Sequence, residues 1–178
     1  MGTITTKSAA TSSTDEARQQ LHDIIDGTRT VMLLSHGEDG KIVGRPMALQ
    51  RIDDNQVIYF AASIEQKKVE EIRRDSRVTV AVQNREGFAM VDGEATISQD
   101  RALIEDLWED DWKVWYEGGK SDPSIAIIVV RPLEGTFWSQ ALGDGLSYLW
   151  RYAKARVTGH EMDIKPDDQQ TVDLRSRQ

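Results

Sequence analysis

Residues 107–138 read LWEDDWKVWYEGGKSDPSIAIIVVRPLEGTFW and hold four of the five tryptophans, Trp108, Trp112, Trp115 and Trp138. The first three stand four and then three residues apart on an acidic run, a spacing that puts them on one helix face, with a split near Asp110. A Gly118-Gly119 break and an Asp122-Pro123 turn follow. Next come an apolar strand from Ile125 to Val130 and a further strand around Thr136 to Ser139. A face carrying that many indoles must be covered by a core, a second subunit or a flat aromatic ligand.

Upstream, residues 1–13 are rich in Ser, Thr and Ala and read as a disordered N-terminal tail. Ser13 and Glu16 form a capping-box pair ahead of Ala17, Leu21, Ile24 and Ile25, which predicts a helix over 14–26 stopped by Gly27. Val31–Leu34, the turn His36–Gly40, and Ile42–Arg51 read as a hairpin. Pro46 lacks a ladder donor, so its strand belongs at an edge or a bulge. Val57–Ala62 adds a third strand, completing an expected three-strand meander. Ser63 and Gln66 form a second capping box, opening a helix of about a dozen residues with Ile64, Val69 and Ile72 on its apolar face. Val78–Val82 is another strand, and in Phe88–Ile97 the residues Ala89, Val91, Gly93, Ala95 and Ile97 share one face.

Short strands interrupted by helices, without βαβ alternation, give the fold class: mainly β (α+β), an antiparallel β-barrel with helices packed outside. One domain spans 14–158, and 159–178 reads as a flexible C-terminal tail. Tyr148, Trp150 and Tyr152 lie among Arg151, Lys154 and Arg156, a basic-aromatic patch.

The 178-residue chain carries a formal charge of −8 and a pI near 4.9, which disfavours nucleic acid and anionic membrane as partners. The absence of cysteine removes disulfides, thiolate metal sites and thiol catalysis, and the three histidines show no ligand spacing, so no metal site is expected. Neither a signal peptide nor a membrane span is visible, and the expected location is cytoplasmic.

Ser35-His36 reads as a solvated turn rather than a nucleophile pair. Glu109-Asp110-Asp111 reads as an acidic helix junction rather than a metal cluster. No catalytic residue is assigned. Two stretches suit a ligand. A capped helix opening after Ser63, with Lys67 and Lys68 in its first turns, could hold phosphate, although lysines on a solvated face explain the same pattern. At Gly44-Arg45-Pro46-Met47, a strand broken by proline could lie along a flat heterocycle, or be a plain edge bulge.

In this order the pieces resemble the pyridoxamine 5′-phosphate oxidase-like FMN-binding split barrels, and more narrowly their general stress protein 26 branch. The resemblance is carried by Gly44–Met47, Val57–Ala62, Lys68–Ile72 and Val91–Ala95, and most specifically by the series Trp108…Trp115…Gly118-Gly119…Asp122-Pro123…Phe137-Trp138. It covers residues of about 18 to 140. It implies a homodimer with FMN, or FAD, at the subunit interface, and an unidentified small-molecule substrate or electron acceptor. A deazaflavin or haem is an alternative in related barrels. Arg45, Pro46 and Met47 would lie along the ring, with Phe60, Ala61 and Ala62 beside it. Lys68, helped by Lys67, would serve the phosphate, Ser63 would compensate for the hydroxyl missing at Ala62, and Trp138 would come from the partner subunit. The family often has threonine at Ala62 and serine at Gln66, so two hydroxyl donors are missing. The resemblance leaves three functions open: flavin-dependent oxidoreductase, flavin carrier or sensor, and cofactor-free dimeric stress protein.

Overall fold

The computed structural model describes residues 6–139 and 169–175. Eight strands form one antiparallel sheet: β1 Thr30–His36, β2 Ile42–Ala48, β3 Arg51–Ile52, β4 Ile58–Ser63, β5 Arg77–Gln83, β6 Gly87–Ser98, β7 Ile125–Ser139 and β8 Gln169–Asp173. Their order is β2-β1-β5-β6-β7-β4-β3, with β8 added along β7. Three α-helices flank the sheet: α1 Thr6–Asp26, α2 Lys67–Arg74 and α3 Arg101–Leu107. Among the described residues no helix is long and apolar enough to cross a membrane.

The two edge strands of this sheet, β2 and β3, are consecutive in the chain and separated by Leu49-Gln50 alone. Leu49 N–H bonds to the Arg29 carbonyl beside β1 at 2.9 Å, while Gln50 N–H bonds to Tyr59 of β4 at 3.0 Å. Two neighbouring residues thus join opposite edges, which requires the sheet to curl into a half-barrel. Pro46 sits on edge strand β2, as its missing N–H demands.

The barrel interior collects the inward residues of each strand. On β6 buried and exposed positions alternate from Gly87 to Glu94, and α1 closes one side with Leu21, Ile24 and Ile25. The apolar run Ile125–Val130 alternates less because both of its faces are covered. Ile128 and Val130 join the barrel core, while Ile125 and Ile127 join a second core with Ile104, Leu107, Trp112 and Tyr116.

Several expectations are corrected. The meander fails: β4 pairs β3 and β7 at the far side of the sheet, not β2. The strands expected around Ile125 and Thr136 are one fifteen-residue strand, β7. Pro132 does not break it because its register partner is Gly93, at the irregularity following Asp92. At Gly93 a Cβ would lie 2.4 Å from the Arg131 carbonyl oxygen, so the crossing needs glycine. Helix α1 begins at Thr6, inside the stretch 1–13 assigned to a tail.

Part of 159–178 is likewise a strand rather than a flexible tail. Val172 and Leu174, two residues apart, put both side chains into the barrel core as β8 pairs β7. Helix α2 starts at Lys67, later than the Ser63 cap implied. Ser63 is the last residue of β4, and its N–H reaches Gln66 Oε1 at 3.3 Å. The basic-aromatic patch at 148–156 lies outside the described residues.

Candidate functional site

The tryptophan run does not form one helix. Asp100 caps α3 by accepting from Leu103 N–H at 3.0 Å, but α3 ends at Leu107 and Trp108 is extended. The last turn of α3 carries Glu105 and Asp106 and no base, an arrangement that opposes the helix dipole and favours termination. The chain re-enters as a short 3-10 helix, Asp110–Val114. The three indoles consequently have different fates. Trp108 is half-buried, edge-on to Trp112 at 5.4 Å, and Trp112 is buried, while Trp115 is 80% exposed.

Trp112 anchors this segment by donating its indole N–H to Gln50 Oε1 at 2.9 Å, on the link between β2 and β3. Tyr116 packs behind it, with ring centroids 6.3 Å apart; burial, then the Asp122 carboxylate, pushes its hydroxyl pKa up. The following loop is pinned by Asp122, which accepts from Ser124 N–H at 2.9 Å, from the Ser124 hydroxyl at 2.6 Å and from Gly118 N–H at 3.3 Å. Gly119, at φ 60°, supplies the left-handed residue.

A cavity of about 400 Å³ opens between this segment and the two sheet edges. Pro46, Met47 and Ala48 of β2 form one wall, and Ala61, Ala62 and Ser63 of β4 another. Lys68 enters from α2, and Asp111, Trp112, Trp115 and Tyr116 close the remaining side. The volume falls in the range of about 300–1,000 Å³ usual for small-molecule sites.

Lys68 is the chemically distinctive group. Its ammonium is half-buried, lies 3.3 Å from Met47 Sδ, and forms no ion pair among the described residues. Burial, then the nearby Arg45 charge, lowers its pKa. An anion placed in the cavity would oppose the shift by favouring the charged ammonium.

The predicted site residues do not all meet in one place. Pro46, Met47, Ala61, Ala62, Ser63 and Lys68 meet at the cavity. Phe60 lies fully buried in the barrel core, on the same strand face as Ala62 but deeper than the cavity wall, and Lys67 is exposed outside it.

Arg45 shares the inward face of β2 with Met47, and its guanidinium is spent on Glu71. Nη2 lies 2.6 Å from Glu71 Oε2 and 3.0 Å from Ser35 Oγ, which itself donates to Glu71 at 3.0 Å. Burial works to raise the Glu71 pKa, but hydrogen bonds from Arg45 and Ser35 and the Arg45 charge outweigh it and hold the carboxyl low. Arg45 Nη1 is buried without a hydrogen-bond partner among the described residues.

Trp138 lies elsewhere, paired with Phe88 across β6–β7. With Met32 and Met90 these residues line a second, mostly apolar groove of about 550 Å³ on the outer face of the sheet. Gln50, Asp111, Trp112, Trp115 and Tyr116 line the first cavity without having been assigned from sequence. The indole clustering was their visible signal.

A curled antiparallel sheet, flanked by helices and with a cavity between its edges, is a split half-barrel. The chain matches the family model described as Pyridoxamine 5′-phosphate oxidase like over residues 16–163 and belongs to that family. Solved structures agree. General Stress Protein 26 from Bacillus anthracis str. Sterne is 26% identical, with 68% of this chain and 93% of that one covered at a TM-score of 0.62. The general stress FMN/FAD binding protein from Xanthomonas citri is 29% identical, with 70% and 87% covered at 0.57. A protein related to general stress protein 26 from Clostridium acetobutylicum, at 20% identity, 71% and 87% coverage and 0.60, shares the fold. No curated protein matches the chain.

Proposed function

We propose that this protein is a cytoplasmic, stress-related flavin-binding protein that holds FMN, with FAD as the alternative, in the cavity at Lys68. The observation that carries the reading is the half-buried ammonium without an acid partner among the described residues, set among apolar and aromatic walls. Lys68 would hold the phosphate, and the start of α2 adds the positive end of its dipole. Pro46–Ala48 and Ala61–Ser63 would line the ring and its side chain. Ser63 would supply a hydroxyl next to Ala62. A bound flavin supplies hydride or electron transfer, and the protein positions it and excludes water. The Xanthomonas citri relative is named for FMN/FAD binding, which supports the assignment.

Titration with FMN, followed by flavin absorbance and tryptophan quenching, tests the proposal. Saturable binding that Lys68→Ala weakens by at least about tenfold is expected from loss of one charge-assisted phosphate contact. Colourless protein that ignores FMN would overturn the reading.

The catalytic role is an oxidoreductase with an unidentified acceptor. Among the described residues, however, the cavity walls bring no histidine and only one carboxylate, Asp111, near the ligand, which favours a carrier or sensor as the second reading. Reduction by a nicotinamide cofactor with steady reoxidation by an acceptor panel would decide for turnover.

We further propose a homodimer formed through the outer groove. Met32, Phe88 and Met90 are each about two-fifths exposed there, an apolar surface that association would cover. Trp138 would then meet the flavin of the second copy. Sedimentation should give a dimer that Phe88→Glu converts to monomer. A monomeric wild-type protein would overturn this assembly.

A further inference from the structure

Trp115 is unexplained by packing. Trp112 and Tyr116 fill the second core, and Trp108 covers Trp112, yet the Trp115 indole stands 80% exposed beside the 79% exposed Val114. It nevertheless lines the same cavity as Lys68, together with Asp111. Leaving an indole in water at a cavity mouth forgoes its burial energy and leaves its ring face available to stack on a ligand.

The charge around it has one sign. Asp111 is the one carboxylate on the cavity wall among the described residues, and Glu109, Asp110 and Glu117 are exposed alongside. The single base among them, Lys113, is engaged with Asp110 at 2.8 Å. Lys68 belongs to a different wall, supplied by α2. An indole face attracts cations through its quadrupole, and a carboxylate beside it adds Coulomb attraction.

We infer that Trp115 and Asp111 form a recognition subsite at the mouth of the cavity, selecting a planar heteroaromatic ligand that carries positive charge. The inference builds on the flavin reading, with the flavin phosphate at Lys68 and the subsite serving the second ligand. Anionic aromatics meet the carboxylates and are rejected.

The test uses full-length protein loaded with FMN, after the FMN titration has been recorded. N-methylquinolinium and quinoline-2-carboxylate, rings of similar size and opposite charge, are compared by calorimetry at low ionic strength. The cation should bind about tenfold more tightly than the anion, within the range of a partly desolvated cation–π contact. Asp111→Asn should reduce the preference to about threefold. Trp115→Ala should weaken the cation at least about fivefold, and Trp115→Phe should restore most of it.

Equal binding of the two probes, or a preference untouched by both substitutions, would overturn the subsite while leaving FMN binding intact. Absence of FMN binding with the probe preference preserved would remove the flavin reading instead. If Trp115→Ala changes sedimentation and not the preference, Trp115 is an interface residue and the inference fails.

Discussion

Glu71→Gln is the sharpest test of how the β2 wall of the cavity is held. Glu71 is 4% and Arg45 18% exposed at the side chain, and they meet at 2.6 Å with Ser35 bridging. Removing one member of a buried pair costs about 3–5 kcal/mol because the other charge stays behind. Here glutamine still accepts from Ser35, and the guanidinium keeps some water, so about 2–3 kcal/mol is expected. For a chain of this size that lowers Tm by about 5–10 °C.

The double variant Arg45→Met/Glu71→Leu removes both charges and should return to within about 1 kcal/mol of wild type. Urea denaturation of the singles and the double at neutral pH gives the coupling energy. The pH dependence has a definite sign. The folded Glu71 pKa lies below the unfolded one, whose ordinary value is 4.5, so its stabilisation is complete above that value. It is lost as pH falls through the lower, folded value. Glu71→Gln should abolish this acid-side slope. A cost under about 1 kcal/mol, or single effects that simply add, would refute the argument.

Gly93→Ala should destabilise by about 1–3 kcal/mol in urea melts, since its Cβ meets Arg131 backbone, whereas Gly44→Ala, facing the flexible Met32 tip at 3.4 Å and Leu34 Cγ at 3.8 Å, should change stability by less than about 1 kcal/mol. Leu174→Ala, truncating a 4% exposed side chain directly after β8, should cost about 2–4 kcal/mol and mark residues 169–175 as part of the cooperative unit. Binding of FMN should weaken as pH rises through the lowered Lys68 pKa, because only the ammonium attracts phosphate; Lys68→Met should bind weakly with that alkaline fall removed, as titration across pH would report.

The elements legible in the sequence are those whose periodicity is self-contained. The alternation of β6 and the core face of α1 both appear in the structure as read. What the sequence hides is pairing at a distance. The hairpin rule places β4 beside β2, but nothing local says that Leu49-Gln50 crosses between sheet edges. Val172 and Leu174 form too short a pattern to announce a strand whose partner lies some 35 positions upstream.

The site was partly readable for the same reason. Lys68 and Met47 were found from local context, and strand alternation alone puts Arg45 on the inward face with Met47. Its engagement with Glu71, 26 residues away, is a tertiary fact. The aromatic wall was read as helix packing because four-and-three spacing is also the signature of a helix face. The break after Leu107 let Trp115 reach the cavity instead.

The crossing at Leu49-Gln50 also determines how the cavity can be entered. Because the barrel closes there by covalent linkage and side-chain contact rather than by a continuous ladder, it has a seam, and the ligand walls β2 and β4 are the two lips of that seam. Spreading them breaks no β2–β1 or β4–β7 backbone hydrogen bond; what yields is side-chain contact, Trp112–Gln50 and Lys68–Met47 among it. Admission of a ligand is thereby separated from the cooperative unfolding of the sheet, and amide exchange at Leu49 and Gln50 should respond to ligand while that in β5 and β6 stays unchanged.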